Sequence, residues 1–167
     1  MSTTTAKLHP CARCAAVQRT CCQRAEILLT EGDVARVGAF VGRTDFFERR
    51  APSDPAYVEP DADDPDWVSL TVAADGTRRM LRRQPNGDCT FLSAHGCVLP
   101  ETTRPLVCRL YPYSYTERGI DGVDGEYCPT ALLAPDGRSM AEVLDISKAT
   151  AEAWRRQLYE ELRNGRP

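Results

Sequence analysis

The chain lacks any apolar run approaching the roughly 18 residues that a membrane-spanning helix needs. It also lacks a charge bias. A net charge of −3 and a pI of about 5.5 give no chain-wide attraction to nucleic acid or anionic membrane. The opening MSTTTAKLHP has no apolar stretch of the secretion-signal kind, which predicts a soluble cytoplasmic protein. No Gly-rich phosphate loop of the Gly-x4-Gly-Lys-Ser/Thr pattern occurs, which argues against a nucleotide-driven engine. Internal repeats and low-complexity tracts are absent as well. Hydrophobic residues at 42% and charged residues at 27% are ordinary globular usage, so wholesale disorder and collagen-like structure are excluded. A chain of 167 residues is about one domain, and folding at that size buries roughly 70% of the unfolded surface.

Against this background stand eight cysteines: Cys11, Cys14, Cys21, Cys22, Cys89, Cys97, Cys108 and Cys128. Their density is below that of a disulfide scaffold. In a reducing compartment such a set points to metal before disulfides or plain buried thiols.

The segments between them predict an α+β fold, a small single domain of helices and a short β-hairpin organised around a cysteine-rich metal centre. Residues 1–10 are expected to be a flexible tail and 11–167 the metal-binding domain. A helical turn is expected at Ala15–Arg19, and Ala25–Leu29 reads as a short apolar run, extended or helical. Thr30 and Asp33 form a capping-box pattern for a helix with Val34, Val37, Phe40 and Val41 on one face, ended by Gly42. Thr44-Asp45 would cap a further turn through Phe46, Phe47 and Glu48. Residues 51–66 hold four prolines and six acids with no base, the composition of a solvated surface insertion. Trp67–Ala73 and Thr77–Gln84 flank Asp75-Gly76, a hairpin signal. Pro85–Asp88 reads as a turn delivering Cys89, and Cys89–Leu92 and Cys97–Leu99 read as walls of a metal loop. Pro105 should sit at the first position of a short helix through Cys108-Arg109, closed by Tyr111-Pro112. The C-terminal helices, within 139–163, are Met140–Leu144 and Ser147–Arg163. The second presents Ala151, Trp154, Leu158 and Leu162 on one face, with Lys148–Glu152 and Arg156–Glu160 pairs four apart.

The chemistry rests on the cysteine spacing. Cys11 and Cys14 form a Cys-x2-Cys chelate, whose two intervening residues turn both sulfurs toward one centre. Adjacent Cys21 and Cys22 point about 100° apart in a helix and about 180° apart in a strand, which suits two metals, or two irons of one cluster. Eight thiolates therefore suggest two four-sulfur centres or one larger site. Charge does not choose between zinc and an iron–sulfur cubane, since either with four thiolates carries about −2. The spacing matches neither paired Cys-x2-Cys zinc ribbons nor the tight ferredoxin run.

The chain resembles the YkgJ-type cysteine-cluster family, CxxCxxCC proteins described as zinc- or iron-chelating domains. The residues that carry the resemblance are Cys11–Cys22, Asp33-Val34, Gly87–Leu92, Gly96–Leu99 and the run Arg104-Pro105-Leu106-Val107-Cys108-Arg109-Leu110-Tyr111-Pro112. The six residues between Cys14 and Cys21 are a longer spacer than the family pattern has. A related motif occurs in the larger flagellin lysine methylases, which are associated with an iron–sulfur cluster and methyl transfer. Their activity does not carry over to this shorter chain. The resemblance implies a metal-binding domain, with an iron–sulfur cluster (4Fe-4S) ahead of zinc and all eight cysteines as candidate ligands.

Among other residues, Arg104 and Arg109 could offset thiolate charge as cluster-binding cations. The alternative is a structural helix with Arg109 on its surface. Tyr111 and Tyr113 read as packing and hydrogen-bonding residues. His9 and His95 lie two residues from Cys11 and Cys97 and could each replace a sulfur on zinc. The basic block Arg78-Arg79-Met80-Leu81-Arg82-Arg83 could contact phosphates, but the acidic 54–66 segment is placed to pair with it, which argues against nucleic acid as a partner. The expected function is metal binding. The alternatives are a zinc-stabilised interaction module without catalysis, or a small iron–sulfur enzyme acting in protein modification.

Overall fold

The structure, a computed structural model, describes residues 9–124 and 127–166. Its elements follow in chain order: α1 (Pro10–Ala15), α2 (Cys21–Arg24), α3 (Glu31–Val41), β1 (Phe47–Arg50), a 3-10 turn at Pro55–Val58 and α4 (Trp67–Thr71). Then come β2 (Arg78–Leu81), β3 (Leu92–Ser93), β4 (Gly96–Cys97), α5 (Leu106–Leu110), β5 (Tyr113–Thr116) and β6 (Gly119–Val123). The chain closes with α6 (Thr130–Leu133), α7 (Met140–Val143) and α8 (Lys148–Asn164). The strands form three antiparallel pairs, β1–β2, β3–β4 and β5–β6. This is the mixed helix and small-sheet architecture expected of an α+β domain.

The capping box forms as the sequence predicts. Asp33 N–H donates to Thr30 Oγ1 at 2.9 Å, and Thr30 N–H donates to Asp33 Oδ2 at 3.1 Å, satisfying two backbone donors that a helix start leaves unpaired. Gly42 ends α3 with φ +69°, a left-handed conformation that glycine adopts without Cβ strain. Val34, Val37 and Val41 face the core with Phe46 and Leu29, but Phe40 is 54% exposed. On the helical wheel Phe40 lies about 90° from the centre of the valine stripe, so it falls outside that face.

Ile27–Leu29 settles as extended chain on the far side of β2 from β1. Leu29 N–H donates to Arg79 O at 3.0 Å and Leu81 N–H to Ile27 O at 2.9 Å. The expected hairpin of 67–73 with 77–84 does not form. The Asp75-Gly76 turn is there, with Gly76 at φ +79° and Ala73 N–H donating to Thr77 O at 2.8 Å, but it joins a helix to a strand. Trp67, Leu70 and Thr71 recur at helical spacing and bury together, with the Trp67 ring 5.8 Å from that of Tyr159 on α8. β2 pairs with Phe47–Arg50 instead, which replaces the helical turn expected at Phe46–Glu48. The expected turn at 15–19 is displaced too: the helix runs Pro10–Ala15, because the His9 side chain and Pro10 open it early. Of the expected tail, residues 1–8 lie outside the described residues, and the last two belong to this helix start.

Two clusters hold most of the core. One packs α8 against α5, α4 and Leu28, with Leu106, Leu110, Ala151 and Leu158 fully buried. Each such leucine contributes roughly 1.5–3 kcal/mol on leaving water. The second joins Val37, Phe46, Leu81, Phe91 and Leu99 with Cys89. The β5–β6 hairpin was not anticipated. Its inward residues Tyr113, Tyr115 and Ile120 pack on the α8 cluster, and Ile120 N–H donates to Glu152 Oε1 at 3.0 Å. In α8 the side chain of Glu152 bonds Arg155, at 2.8 Å, where a Lys148 pairing was expected. Most of 51–66 is exposed, as expected, but Asp64 is buried and accepts a hydrogen bond from Tyr159 Oη.

Candidate metal centre

The site is built where the two halves of the chain meet. Cys11 and Cys14 lie on successive turns of α1, a helix started by Pro10 and by His9 Nδ1, which accepts from Cys11 N–H at 3.2 Å. Cys21 and Cys22 open α2. Its geometry is fixed from outside: Thr20 N–H donates to Gln23 Oε1 at 2.7 Å, and Gln23 Nε2 donates to Asp88 Oδ1 at 2.9 Å. Arg83 ties the same region together, donating to Cys22 O at 3.3 Å, to Gly87 O at 2.7 Å and to Ala25 O. The turn through Gly87, at φ +89°, then delivers Cys89, whose N–H donates to Cys22 O at 3.1 Å. Cys97 is held in β4 opposite Leu92, and Cys108 on α5.

Helix α5 is aimed by a distant carboxylate. Asp33, fully buried, accepts from Leu106 N–H at 3.1 Å and from Arg36 at 2.6 Å, in addition to its bond from Thr30 N–H. Pro105 occupies the N-cap, one place before the predicted position, and contributes no side-chain acceptor, so Asp33 takes that role. Cys128 is fixed at the other end, where its Sγ and Tyr111 Oη share a hydrogen bond of 3.2 Å.

These elements enclose a cavity of about 360 Å³, and all eight cysteines line it. By the same reckoning one water needs only ~10–15 Å³. Exposed His9, His95, Glu101 and Tyr127 also line it, so it opens to the surface. All eight thiols are free of disulfide bonds. Among the described residues, no three His, Cys, Asp or Glu side chains converge tightly enough to grip a single ion.

Burial dominates the electrostatics. It pushes the thiols of Cys11 and Cys89 up to about 11, and that of Cys108 well above its usual value. The adjacent pair divides: Cys22 is drawn down to about 7 by the hydrogen bond from Cys21, despite its burial and with help from Arg104. Cys21 is pushed up by that same bond and by burial. Eight thiolates around one cavity would repel one another, and the protonated state that burial favours relieves the repulsion unless cations enter. Soft thiolates in this number select zinc, copper(I) or iron–sulfur chemistry over hard cations.

The two arginines separate in role. Arg104 lies close enough to Cys22, Cys11 and Cys97 to favour their charged forms, and its Nε donates to Leu99 O at 2.9 Å. Arg109 is buried, contrary to the surface position weighed for it. It donates to Arg104 O and Thr102 O, both at 2.7 Å, and so braces the loop that presents Arg104. The basic block is largely consumed by structure. Arg78 is buried against Glu26 at 3.2 Å and lies 4.0 Å over the Tyr57 ring, while Arg83 is spent on carbonyls around the site. Tyr113 Oη donates to Ile146 O at 2.7 Å, the hydrogen-bonding role expected of it.

No protein-family model matches the chain, and neither a curated protein nor a solved structure does so.

Sequence reasoning missed Asp33 and Arg83 as residues that build the site. Asp33 carries the signal of a helix-start carboxylate, but its second partner is 73 residues away in sequence.

Proposed function

We propose that this chain is a metal-binding cysteine-cluster protein whose thiolates hold an iron–sulfur centre. The observation that supports this most is the convergence of eight cysteines, from both halves of the chain, on one cavity far larger than an ion requires. A mononuclear tetrahedral zinc site has metal–sulfur distances of about 2.3 Å, which brings four sulfurs nearly into contact around one ion. A polynuclear inorganic core instead fills space between its ligands. The motif resemblance to the YkgJ-type family points the same way.

The candidate ligands are the eight cysteines. Arg104 would offset thiolate charge, Arg109 would hold the Arg104 loop, and Tyr111 would hydrogen-bond the Cys128 sulfur. Hydrogen bonds and nearby charge of this kind set the potential of an iron–sulfur centre, and electron transfer is the chemistry such a centre supplies when bound. His9 is less suited to ligation than its place in the sequence suggests, since Nδ1 already accepts from Cys11 N–H. Free thiols in this number belong in a reducing compartment, and we place the protein in the cytoplasm. Among the described residues, no helix is long and apolar enough to cross a membrane.

Anaerobic purification followed by metal analysis and a visible spectrum tests the proposal. Iron with matching acid-labile sulfide and a broad visible absorption is expected. A colourless protein carrying zinc would move the reading to a zinc-stabilised module, and a metal-free protein would remove it.

A further inference from the structure

We propose that the cavity holds two metal centres, divided at the Cys21–Cys22 peptide bond: Cys11, Cys14, Cys21 and Cys128 bind one, and Cys22, Cys89, Cys97 and Cys108 bind the other. This rests on the metal-binding reading above and adds the ligand set of each centre.

The packing around the sulfurs falls into two groups. Buried Cys14 packs with Leu133 and Met140, and Cys128 lies against the same cluster. The chain around Cys128 is stapled to the end of α1: Arg13 donates to Leu132 O at 3.0 Å and Gln18 Nε2 to Tyr127 O at 2.7 Å. Cys11 shares α1 with Cys14, so three thiols belong to one structural unit made of α1 and the 127–133 segment.

Cys89, by contrast, is buried in the Phe46–Phe91–Leu99 cluster, and both Cys22 and Cys97 pack against that cluster. The bond from Cys89 N–H to Cys22 O fixes these two cysteines backbone to backbone. Cys108 comes in on α5. That helix is tied through Leu106 N–H and Asp33 to α3, whose Val37 lies in the same cluster as Cys89.

Cys21 and Cys22 stand between the units. Successive helical side chains diverge by about 100°, so the pair spans two sites more readily than it serves one. Cys22 is committed by its packing and its carbonyl to the Cys89 side. Cys21 is then the fourth ligand of the first centre.

The test compares double variants of the full chain, purified anaerobically, with metal measured per folded chain. Cys14→Ser/Cys128→Ser and Cys89→Ser/Cys97→Ser should each retain about half the wild-type metal, because each pair disables a single centre. Cys14→Ser/Cys89→Ser should retain less than a tenth. Equal loss in all three would overturn the partition and leave one shared site. If the variants do not fold, the wild-type protein is stripped by chelator to half its metal, alkylated and mapped. Alkylation confined within each chain to one of the two sets supports the partition, and alkylation spread evenly over all eight overturns it. A wild-type chain purified without metal overturns the metal reading and this partition together, whereas full metal without partition overturns only the latter.

Discussion

Replacing Asp33 with alanine should cost as much as the loss of a large core side chain. Its two oxygens serve three donors: the buried N–H groups of Thr30 and Leu106, and the guanidinium of Arg36. Alanine leaves both N–H groups without a partner in a dry site, at roughly 1–3 kcal/mol each. Arg36 keeps Glu161, 2.6 Å away, so the broken ion pair adds less than a fully orphaned charge would. The sum is about 4 kcal/mol, a large share of the 5–15 kcal/mol typical of a domain. Asparagine preserves shape and one acceptor, but its amide must face one of the N–H donors, so about half that loss is expected. Urea unfolding at fixed metal loading, followed by the fluorescence of Trp67 and Trp154, gives both numbers, since bound metal adds its own stabilisation. A loss below about 1 kcal/mol for Asp33→Ala would refute the claim that this carboxylate holds α3 and α5 together.

Phe46→Ala removes a fully buried ring that lies 5.8 Å from Phe91, and should cost about 3–5 kcal/mol in the same assay, with Phe40→Ala within about 0.5 kcal/mol of wild type as its exposed counterpart. Glu161 supplies a pH signature. Burial raises its carboxyl, but bonds from Arg36, Thr30 and Gln157 outweigh that and hold it below the usual value. Its stabilisation is therefore present above the unfolded carboxylate range and is lost as pH falls below about 4 to 5, so Glu161→Gln should flatten the acid limb of a stability–pH curve. Asp33 acts with the opposite sign, because burial raises its carboxyl, so it weakens the fold as pH rises through the acid range. Finally, Cys108→Ser exchanges a soft, ionisable donor for a hydroxyl and should lower bound metal substantially, whereas His95→Gln, on an exposed hairpin tip, should leave most of it. Elemental analysis per folded chain decides, and the reverse ranking would contradict the ligand assignment.

What could be read from the sequence was what depends on near neighbours. Thr30 and Asp33, Gly42, the Gly87 turn and the helix carrying Cys108 are all set by residues within a few positions, and each forms close to where the sequence puts it. The errors share a cause. Trp67–Thr71 has the β-branched content of a strand, yet its own Trp67, Leu70 and Thr71 recur at helical spacing, with Trp67 against Tyr159 of α8. Phe47–Arg50 becomes a strand only because β2 is there to pair with it. The β5–β6 hairpin did leave a signal, with Tyr113 and Tyr115 alternating before a Glu117-Arg118 turn, and its support comes from α8 more than thirty residues on. At the site, the cysteines could be read by count and spacing. Their meeting on one cavity, and the bracing of α5 by Asp33, depend on contacts between distant segments that spacing does not carry.

Native mass spectrometry of the anaerobically isolated full chain tests the central claim most directly, because it weighs what the eight thiols hold. The account predicts a mass above that of the bare chain by whole iron–sulfur increments, with the thiol protons displaced by metal. The mass of the fully reduced chain alone, or that mass less eight hydrogens for paired disulfides, would contradict it.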